Sequence, residues 1–137
     1  MTIDAHQKNT LIQTAIKARE AAYAPYTDFY VGAALLAESG KIYTGVNIEN
    51  AALSPTICAE RTAFAKAISE GERKFSAIAV CGHKDSEPYS FAYPCGVCRQ
   101  TMSEFCDPAT FKIFVVATSG DCKEHTLAQI LPYGFGL

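Results

Sequence analysis

Three cysteines and one glutamate, placed in two short motifs, have the types and spacing of a catalytic zinc site. Cys58 is followed two residues later by Glu60, and further along the chain Cys95 and Cys98 form a Cys-x-x-Cys pair. Three thiolates leave the fourth position of a tetrahedral Zn²⁺ open for water, which distinguishes catalytic from structural zinc sites. A carboxylate beside such a water is placed to act as its general base. The pattern therefore predicts hydrolytic zinc chemistry with Glu60 as the base.

The cysteines are also compatible with other kinds of site. Taken alone, a Cys-x-x-Cys pair is equally compatible with a redox pair, a pair of zinc ligands or chance. A redox pair of the thioredoxin kind would account for neither Cys58 nor Glu60. A closed structural site of four cysteines would need Cys81 or Cys106 as its fourth ligand. Cys81 ends an apolar strand and Cys106 lies well after a helix start, so core packing is favoured for both.

Both motifs are predicted to stand at helix starts. A helical pattern of apolar residues begins at Thr56 and ends at Gly71, and a second short helix is predicted over residues 98–105. Consecutive β-α units of one sheet place the starts of their helices at the same edge of that sheet, so the two motifs can meet there. The partial positive charge of a helix start also favours the thiolate that a metal requires.

The strands that carry these helices are predicted from apolar runs and alternation. Residues 29–38 and 41–48 flank a Ser-Gly turn and form a predicted β-hairpin. Residues 75–81 and 111–117 are predicted to be buried strands. Together with the helices, this order of elements is typical of an α/β sandwich with a mixed sheet.

Two further helices are predicted at the ends of the chain. The first is capped by Asp4 with Gln7 as its partner and ends by Pro25, and the last covers residues 126–131. Four residues with reactive side chains fall in polar segments and are given no role: Cys122, His6, His83 and His125.

Composition predicts one soluble globular domain over residues 1–137, located in the cytoplasm. Twelve Lys and Arg against fourteen Asp and Glu give a net charge of −2, while 49% of the residues are hydrophobic and 19% are charged. These values exclude intrinsic disorder, and no apolar run approaches the roughly 18 residues of a membrane span. The chain is also too acidic to hold a phosphate backbone by charge alone, so neither a membrane nor a nucleic acid is an expected partner. The N-terminus lacks the apolar core of a signal peptide, which favours metal-binding, catalytic or core cysteines over disulfides.

Longer motifs around these residues resemble the cytidine deaminase family of zinc-dependent nucleoside deaminases. The resemblance covers the chain from about residue 20 to its C-terminus. Its motifs are Tyr23-Ala24-Pro25-Tyr26, Phe29-x-Val31-Gly32-Ala33-Ala34-Leu35, Asn47-Ile48-Glu49-Asn50, Cys58-Ala59-Glu60-Arg61, Pro94-Cys95-x-x-Cys98-Arg99-Gln100 and Leu131-Pro132-x-x-Phe135. The implied fold is a three-layer α-β-α sandwich with a mixed, mostly five-stranded sheet.

The resemblance implies a hydrolytic deaminase with one Zn²⁺ per subunit. Cys58, Cys95 and Cys98 would hold the zinc, which activates a water for attack on C4 of the cytosine ring. Glu60 would move the protons, so that cytidine and deoxycytidine become uridine and deoxyuridine in pyrimidine salvage. A second implied set of residues neutralises the charge of the thiolates: Arg61 and Arg99.

The resemblance also implies the substrate contacts. Asn47 and Glu49 alternate on the end of a strand and would bind the ribose 3′-hydroxyl. Phe29 would lie beside the base, and Ala59 would line the same pocket. Phe135 would reach the base in a neighbouring subunit, because short-chain members of the family are homotetramers.

Two alternative functions are weighed against this one. A deaminase of nucleic acid or of a nucleoside antibiotic is the first, but polynucleotide editors usually have histidine where Cys58 stands and need a basic surface. Asn47 and Glu49 favour a free nucleoside. A structural zinc module is the second alternative, and it predicts four protein ligands for the metal.

Overall fold

The computed structural model describes residues 2–137, which are organised around one five-stranded sheet. The helices are α1 (Ala5–Ala18), α2 (Ala59–Ser69), α3 (Gly96–Phe105) and α4 (Leu127–Ile130), and a 3₁₀ turn (Arg19–Ala21) follows α1. The strands are β1 (Phe29–Ala37), β2 (Ile42–Val46), β3 (Phe75–Lys84), β4 (Lys112–Val116) and β5 (Cys122–Thr126). Their order across the sheet is β2-β1-β3-β4-β5. Only the β3–β4 pair is parallel among these strands, so the mixed α/β sheet is confirmed.

Alternate residues of the central strands face two separate cores, one on each side of the sheet. On one side, Leu11 and Ala15 of α1 belong to a buried cluster with Phe114 of β4. On the other side, Phe64 of α2 and Met102 of α3 belong to a second buried cluster. The sheet therefore lies between two helical layers, as the three-layer prediction requires.

The first helix begins as the sequence predicts. The Asp4 carboxylate accepts a hydrogen bond from the Gln7 backbone N–H at 2.7 Å, and the Gln7 side chain accepts one from the Asp4 N–H at 3.1 Å. These reciprocal bonds satisfy backbone donors that a helix start otherwise leaves free.

Helix α2 approaches β2 closely because Gly45 has no side chain. A Cβ atom on Gly45 would overlap the Ala59 carbonyl oxygen and lie 2.5 Å from the Ala63 nitrogen. Any larger residue would therefore push α2 away from the sheet. Since Cys58 and Glu60 stand at the start of α2, this glycine helps to fix their depth in the fold.

The outer edge of β2 is covered by side chains of α2. Lys66 donates a hydrogen bond from Nζ to the Thr44 carbonyl at 2.6 Å, and Thr62 donates one from Oγ1 to the Val46 carbonyl at 3.0 Å. Two backbone acceptors of this edge strand are therefore already paired within the chain.

Strand β3 is longer than predicted, and it buries a histidine. His83 was expected in a polar loop, but it lies within β3 and is only 2% exposed. Its ring nitrogens contact the Thr118 hydroxyl and the Lys84 carbonyl, at 2.6 and 2.5 Å. The prediction was wrong because these partners make a polar side chain tolerable inside the fold.

Strand β5 has no counterpart among the predicted strands. Its sequence, Cys-Lys-Glu-His-Thr, is polar, and Cys122 was expected in a turn. The segment pairs with β4 in an antiparallel register at the edge of the sheet, where polar residues remain in contact with solvent. Within residues 2–137, no helix has the length and apolar character needed to cross a membrane.

Candidate metal centre and substrate pocket

The two cysteine motifs meet at the starts of α2 and α3, as predicted. Cys58 is the N-cap residue of α2, Cys95 is the N-cap residue of α3, and Cys98 lies in the first turn of α3. Neither N-cap thiol is used to cap its helix, so both sulfur atoms are free to bind something else. The helix starts thus direct three thiols toward one point.

The spacing of the three sulfur atoms fits a zinc ion. Zn–S bonds of about 2.3 Å separate the sulfur ligands of a tetrahedral zinc by about 3.8 Å. The Sγ atoms of Cys58 and Cys95 are 3.8 Å apart, and those of Cys95 and Cys98 are 3.6 Å apart. All three lie within 4.8 Å of one another and are free thiols. The donor set is therefore that of a three-thiolate zinc site.

The thiols influence one another's protonation. The pKa of Cys58 is lowered to about 5, chiefly by a hydrogen bond from the Cys98 thiol, and the Arg61 side chain acts in the same direction against the effect of burial. The same hydrogen bond, burial and the nearby Glu60 carboxylate raise the pKa of Cys98. Closely packed thiols that must all become thiolates need a cation to neutralise them, which is what a bound divalent metal provides.

Glu60 is a buried carboxyl group beside the sulfur cluster. The residue is 5% exposed, and burial raises the pKa of its carboxyl group to about 7. The negative charge of Cys58 acts in the same direction. A carboxyl group with a pKa near neutrality can accept a proton and return it under the same conditions, which suits a general acid–base group.

Arg61 contacts the sulfur cluster directly. Its Nη2 atom lies 3.8 Å from Sγ of Cys58 and 3.5 Å from the Thr56 carbonyl oxygen. Its Nε atom is buried and has no hydrogen-bond partner. The positive charge of the guanidinium therefore lies beside a thiolate, in the position that the sequence analysis predicted.

Arg99 makes different bonds from those predicted. Its Nε atom donates to the Pro94 carbonyl at 2.7 Å, and its Nη1 atom donates to the Ile130 carbonyl at 2.6 Å. These carbonyls lie just before α3 and at the end of α4. The guanidinium was expected to bind a thiolate, but it binds these two carbonyl oxygens. Arg99 thus fastens the segment before Cys95 to the last helix.

A cavity of about 240 Å³ opens beside the sulfur cluster and Glu60. It is lined by seven of the predicted site residues: Phe29, Asn47, Glu49, Cys58, Ala59, Glu60 and Cys95. The structure therefore brings Glu60, two of the three predicted metal ligands and four of the five predicted substrate-binding residues to one pocket.

Asn47 is held by β1, and Glu49 is held by the segment just before β1. Asn47 accepts a hydrogen bond from the Val31 N–H at 2.9 Å and donates one to the Phe29 carbonyl at 2.8 Å. Glu49 accepts hydrogen bonds from the backbone N–H groups of Tyr26 and Thr27, at 2.9 and 3.2 Å. An amide and a carboxylate have more bonding positions than these contacts use, so both side chains can still bind a ligand.

Comparison with known proteins agrees with this site. Residues 5–114 match the family described as the cytidine and deoxycytidylate deaminase zinc-binding region. A cytidine deaminase of Sporosarcina psychrophila is 52% identical over 125 residues, which cover 91% of this chain and 88% of the relative. A cytidine deaminase of Halalkalibacterium halodurans is 49% identical over 129 residues, which cover 93% of each chain.

The chain belongs to the cytidine deaminase family. Solved structures of family members have the same fold. A crystal structure of cytidine deaminase from Burkholderia pseudomallei is 41% identical, with a TM-score of 0.85, and the match covers 97% of this chain and all of that one. A crystal structure of the Mycobacterium tuberculosis cytidine deaminase is 32% identical, with a TM-score of 0.81 over 99% of this chain and all of that one. The family fold predicted from the sequence is therefore confirmed.

Phe135, which the family resemblance directs toward a neighbouring subunit, does not line the pocket of its own chain. It is 68% exposed, and its carbonyl oxygen accepts hydrogen bonds from Gln100 at 3.3 Å and Ser103 at 3.4 Å. The C-terminal segment is thus tied to the surface of α3 with an aromatic ring left in solvent.

Several residues of this pocket were not predicted from the sequence. The rest of its wall consists of Val31, Thr56, Ile57, Val80, Ala92 and Tyr93. Thr27, whose hydroxyl contacts Glu49, was not predicted either. A threonine two residues after Pro25 is typical of turns that bond a side chain to the backbone, so that position could have been noticed. Its partner, Glu49, lies after β2 and is not apparent from local sequence.

Proposed function

We propose that this protein is a zinc-dependent cytidine deaminase that removes the amino group from C4 of cytidine and deoxycytidine by hydrolysis. The observation that carries the proposal is the meeting of three thiols at zinc spacing with a buried glutamate in one small pocket. Family membership supports the same reaction. The products would be ammonia and either uridine or deoxyuridine. This reaction would belong to pyrimidine salvage.

Cys58, Cys95 and Cys98 would hold the zinc. A zinc ion held by three protein ligands supplies an acidified water as the nucleophile at neutral pH. Arg61 would offset part of the negative charge of the thiolates through its contact with Cys58. Arg99 would act on the site indirectly. It hydrogen-bonds to the carbonyl of Pro94, the residue immediately before Cys95, and so would help to position that ligand.

Glu60 would carry the protons between the reacting atoms. It accepts one proton from the attacking water and delivers it to N3 of the ring. It then moves the remaining hydroxyl proton to the amino nitrogen, so that the C4–N bond breaks and ammonia leaves. A carboxyl group with its pKa raised to about 7 by burial is suited to each of these transfers.

Asn47 and Glu49 would recognise the ribose, and Phe29 and Ala59 would face the base. After its contacts with β1, the Asn47 amide retains one N–H and one oxygen lone pair, and Glu49 retains an acceptor position. A 3′-hydroxyl could therefore donate to the carboxylate and accept from the amide. This arrangement favours a free nucleoside over a polynucleotide, whose 3′ oxygen is esterified.

The structural zinc module is the weaker alternative. Its fourth ligand was expected to be Cys81 or Cys106, but Cys81 packs in the core on the α1 side of the sheet. Cys106 packs in the opposite core, where burial raises the pKa of its thiol to about 12. Among residues 2–137, the cluster of three cysteines has no fourth Cys, His, Asp or Glu ligand.

Ammonia release from cytidine, compared with deoxycytidine, cytosine, cytidine monophosphate and adenosine, tests the proposal. We expect cytidine and deoxycytidine to be good substrates and 3′-deoxycytidine to be a poor one. Losing the 3′-hydroxyl leaves polar groups of Asn47 and Glu49 unpaired, at about 1–3 kcal/mol for each group, which lowers kcat/KM roughly tenfold or more. Equal turnover of cytidine and 3′-deoxycytidine would remove these two residues from ribose recognition.

We also propose that residues 1–137 form one catalytic domain that works as a homotetramer in the cytoplasm. Exposed apolar side chains near the C-terminus, including Tyr133 and Phe135, support association with other copies. The six free cysteines, three of which must remain reduced to bind a metal, support a reducing compartment.

If Phe135 completes a neighbour's pocket, Phe135→Ala should chiefly raise KM for cytidine. An aromatic ring stacked on a base contributes about 1–3 kcal/mol, so the increase should be roughly tenfold to a hundredfold. Mixing tests whether the ring acts between subunits. Glu60→Ala subunits are exchanged with Phe135→Ala subunits, so that hybrid sites combine an intact Glu60 with a donated ring.

Such hybrids should regain the low KM of the unmodified protein. Formation of hybrid oligomers must be followed independently, for example by native mass spectrometry. Hybrids that form and still show only the kinetics of Phe135→Ala would mean that the ring acts within its own chain.

A further inference from the structure

A tight turn before β1 places Thr27 between two residues of the pocket. The Asp28 N–H donates to the Ala24 carbonyl at 3.0 Å, and Asp28 has a positive φ of 58°. That left-handed conformation, which aspartate tolerates better than most residues, reverses the chain just before Phe29 enters β1. The side chain of Thr27 is thereby directed toward Glu49, which follows β2.

Thr27 contacts both neighbours through the same hydroxyl group. Its Oγ1 atom hydrogen-bonds to Oε2 of Glu49 and accepts a hydrogen bond from the Phe29 N–H at 3.1 Å. Because an ionised carboxylate only accepts, the Thr27 hydroxyl must donate to Glu49. The Thr27 backbone N–H adds a bond to the other oxygen, Oε1, at 3.2 Å. Both carboxylate oxygens of Glu49 are therefore bound by one residue.

The same contacts keep Glu49 in its accepting form. The hydrogen bond from the Thr27 hydroxyl lowers the pKa of the Glu49 carboxyl group, and the N–H groups of Tyr26 and Thr27 lower it further. A carboxylate fixed by three donors does not have to be ordered when a ligand arrives, which reduces the entropic cost of binding.

We propose that Thr27 is a positioning residue that fixes Glu49 and Phe29 for recognition of the nucleoside 3′-hydroxyl. The inference rests on the proposed function, because it assigns the ribose to Glu49. Thr27 does not itself line the pocket and is exposed, so it contributes neither a direct ligand contact nor core packing. Its effect must therefore pass through the two residues that it holds.

The test compares Thr27→Val, which removes the hydroxyl at nearly constant shape, with Thr27→Ser, which keeps it. Thr14→Val is the matched control, because the Thr14 hydroxyl bonds only to the Thr10 carbonyl of its own helix, α1. Binding of the products uridine and 3′-deoxyuridine is measured by calorimetry, and KM and kcat are measured for cytidine. Product binding reports on the ribose contacts whether or not the protein turns cytidine over.

Thr27→Val should weaken uridine binding and raise KM for cytidine roughly tenfold, while kcat changes less than about threefold. Binding of 3′-deoxyuridine should change little, so the preference for the 3′-hydroxyl should shrink by nearly the same factor. Thr27→Ser and Thr14→Val should behave like the unmodified protein. Zinc content and the unfolding midpoint should be the same in all four proteins.

A Glu49→Gln background separates positioning of Glu49 from a general effect on the fold. In that background, adding Thr27→Val should weaken uridine binding by a much smaller factor than it does in the unmodified protein, because the two residues act as a unit. An equal loss of uridine affinity in both backgrounds, or a Thr27→Val protein with unchanged uridine affinity, would overturn the role of Thr27. Uridine binding without cytidine turnover in the unmodified protein would instead overturn the proposed activity, and absence of both would overturn both proposals.

Discussion

Replacing Glu60 with alanine or glutamine should lower kcat for cytidine by at least about three orders of magnitude while zinc stays bound. General acid–base catalysis alone contributes roughly 10²–10⁴-fold, and here one carboxyl group would serve several proton transfers in a single turnover. Glu60 is 5% exposed and is not one of the three sulfur ligands, so its loss should leave the metal in place. Single-turnover rates and zinc content, measured on the same preparations, check both statements.

Glu104→Gln provides the control for this experiment. Glu104 is an exposed glutamate on α3, so the same chemical change should leave kcat and zinc content unaltered. Glutamine at position 60 nearly preserves the shape of glutamate and removes its ability to accept a proton. A Glu60→Gln protein that retains zinc and turns cytidine over within tenfold of the unmodified rate would show that another group moves the protons.

Replacing Cys98 with alanine should remove the zinc and with it all measurable deamination. Cys98 is 1% exposed and lies 3.6 Å from Cys95, so no solvent-exposed group can easily take its place as a ligand. Two remaining thiolates hold zinc much more weakly than three, and the bound metal should fall below about a tenth of an ion per chain after dialysis. Metal analysis by mass spectrometry, alongside an assay of ammonia release, measures both outcomes.

The other cysteines provide the comparison. Cys122→Ser changes a partly exposed thiol on β5 and should leave zinc content and activity unchanged. Cys81→Ser and Cys106→Ser change buried thiols and should lower the unfolding midpoint without releasing zinc. If any of these three substitutions abolished zinc binding, a closed four-cysteine site would become the better description.

Much of the metal centre could be predicted because its residues are local in sequence. Cys58 and Glu60 share the start of one helix, and Cys95 and Cys98 share the start of another. Strands β2 and β3, which precede these two helices, both run antiparallel to β1 and therefore end at the same edge of the sheet, as the alternation of strands and helices already indicated. The type of each residue and its place at a helix start therefore determined most of the chemistry.

The remaining differences arise where distant segments compete for one polar group. Arg99 was expected at a thiolate, but the Ile130 carbonyl, which reaches it from the last helix, lies within 2.6 Å. His83 was expected in a polar loop, but it lies within β3, where Thr118 approaches it from the segment after β4. Strand β5 escaped prediction because an edge strand needs little apolar alternation, and it is stabilised by its pairing with β4.

Lys66 and Thr62 occupy carbonyl groups of β2 that an incoming strand would need in order to extend the sheet. Fibril growth and strand exchange at this edge would first have to break both bonds and displace a charged side chain. Because Cys58 caps the same helix, the element that presents one of the metal ligands also protects this edge of the sheet from polymerisation. We therefore expect copies of this chain to associate through surfaces other than the β2 edge.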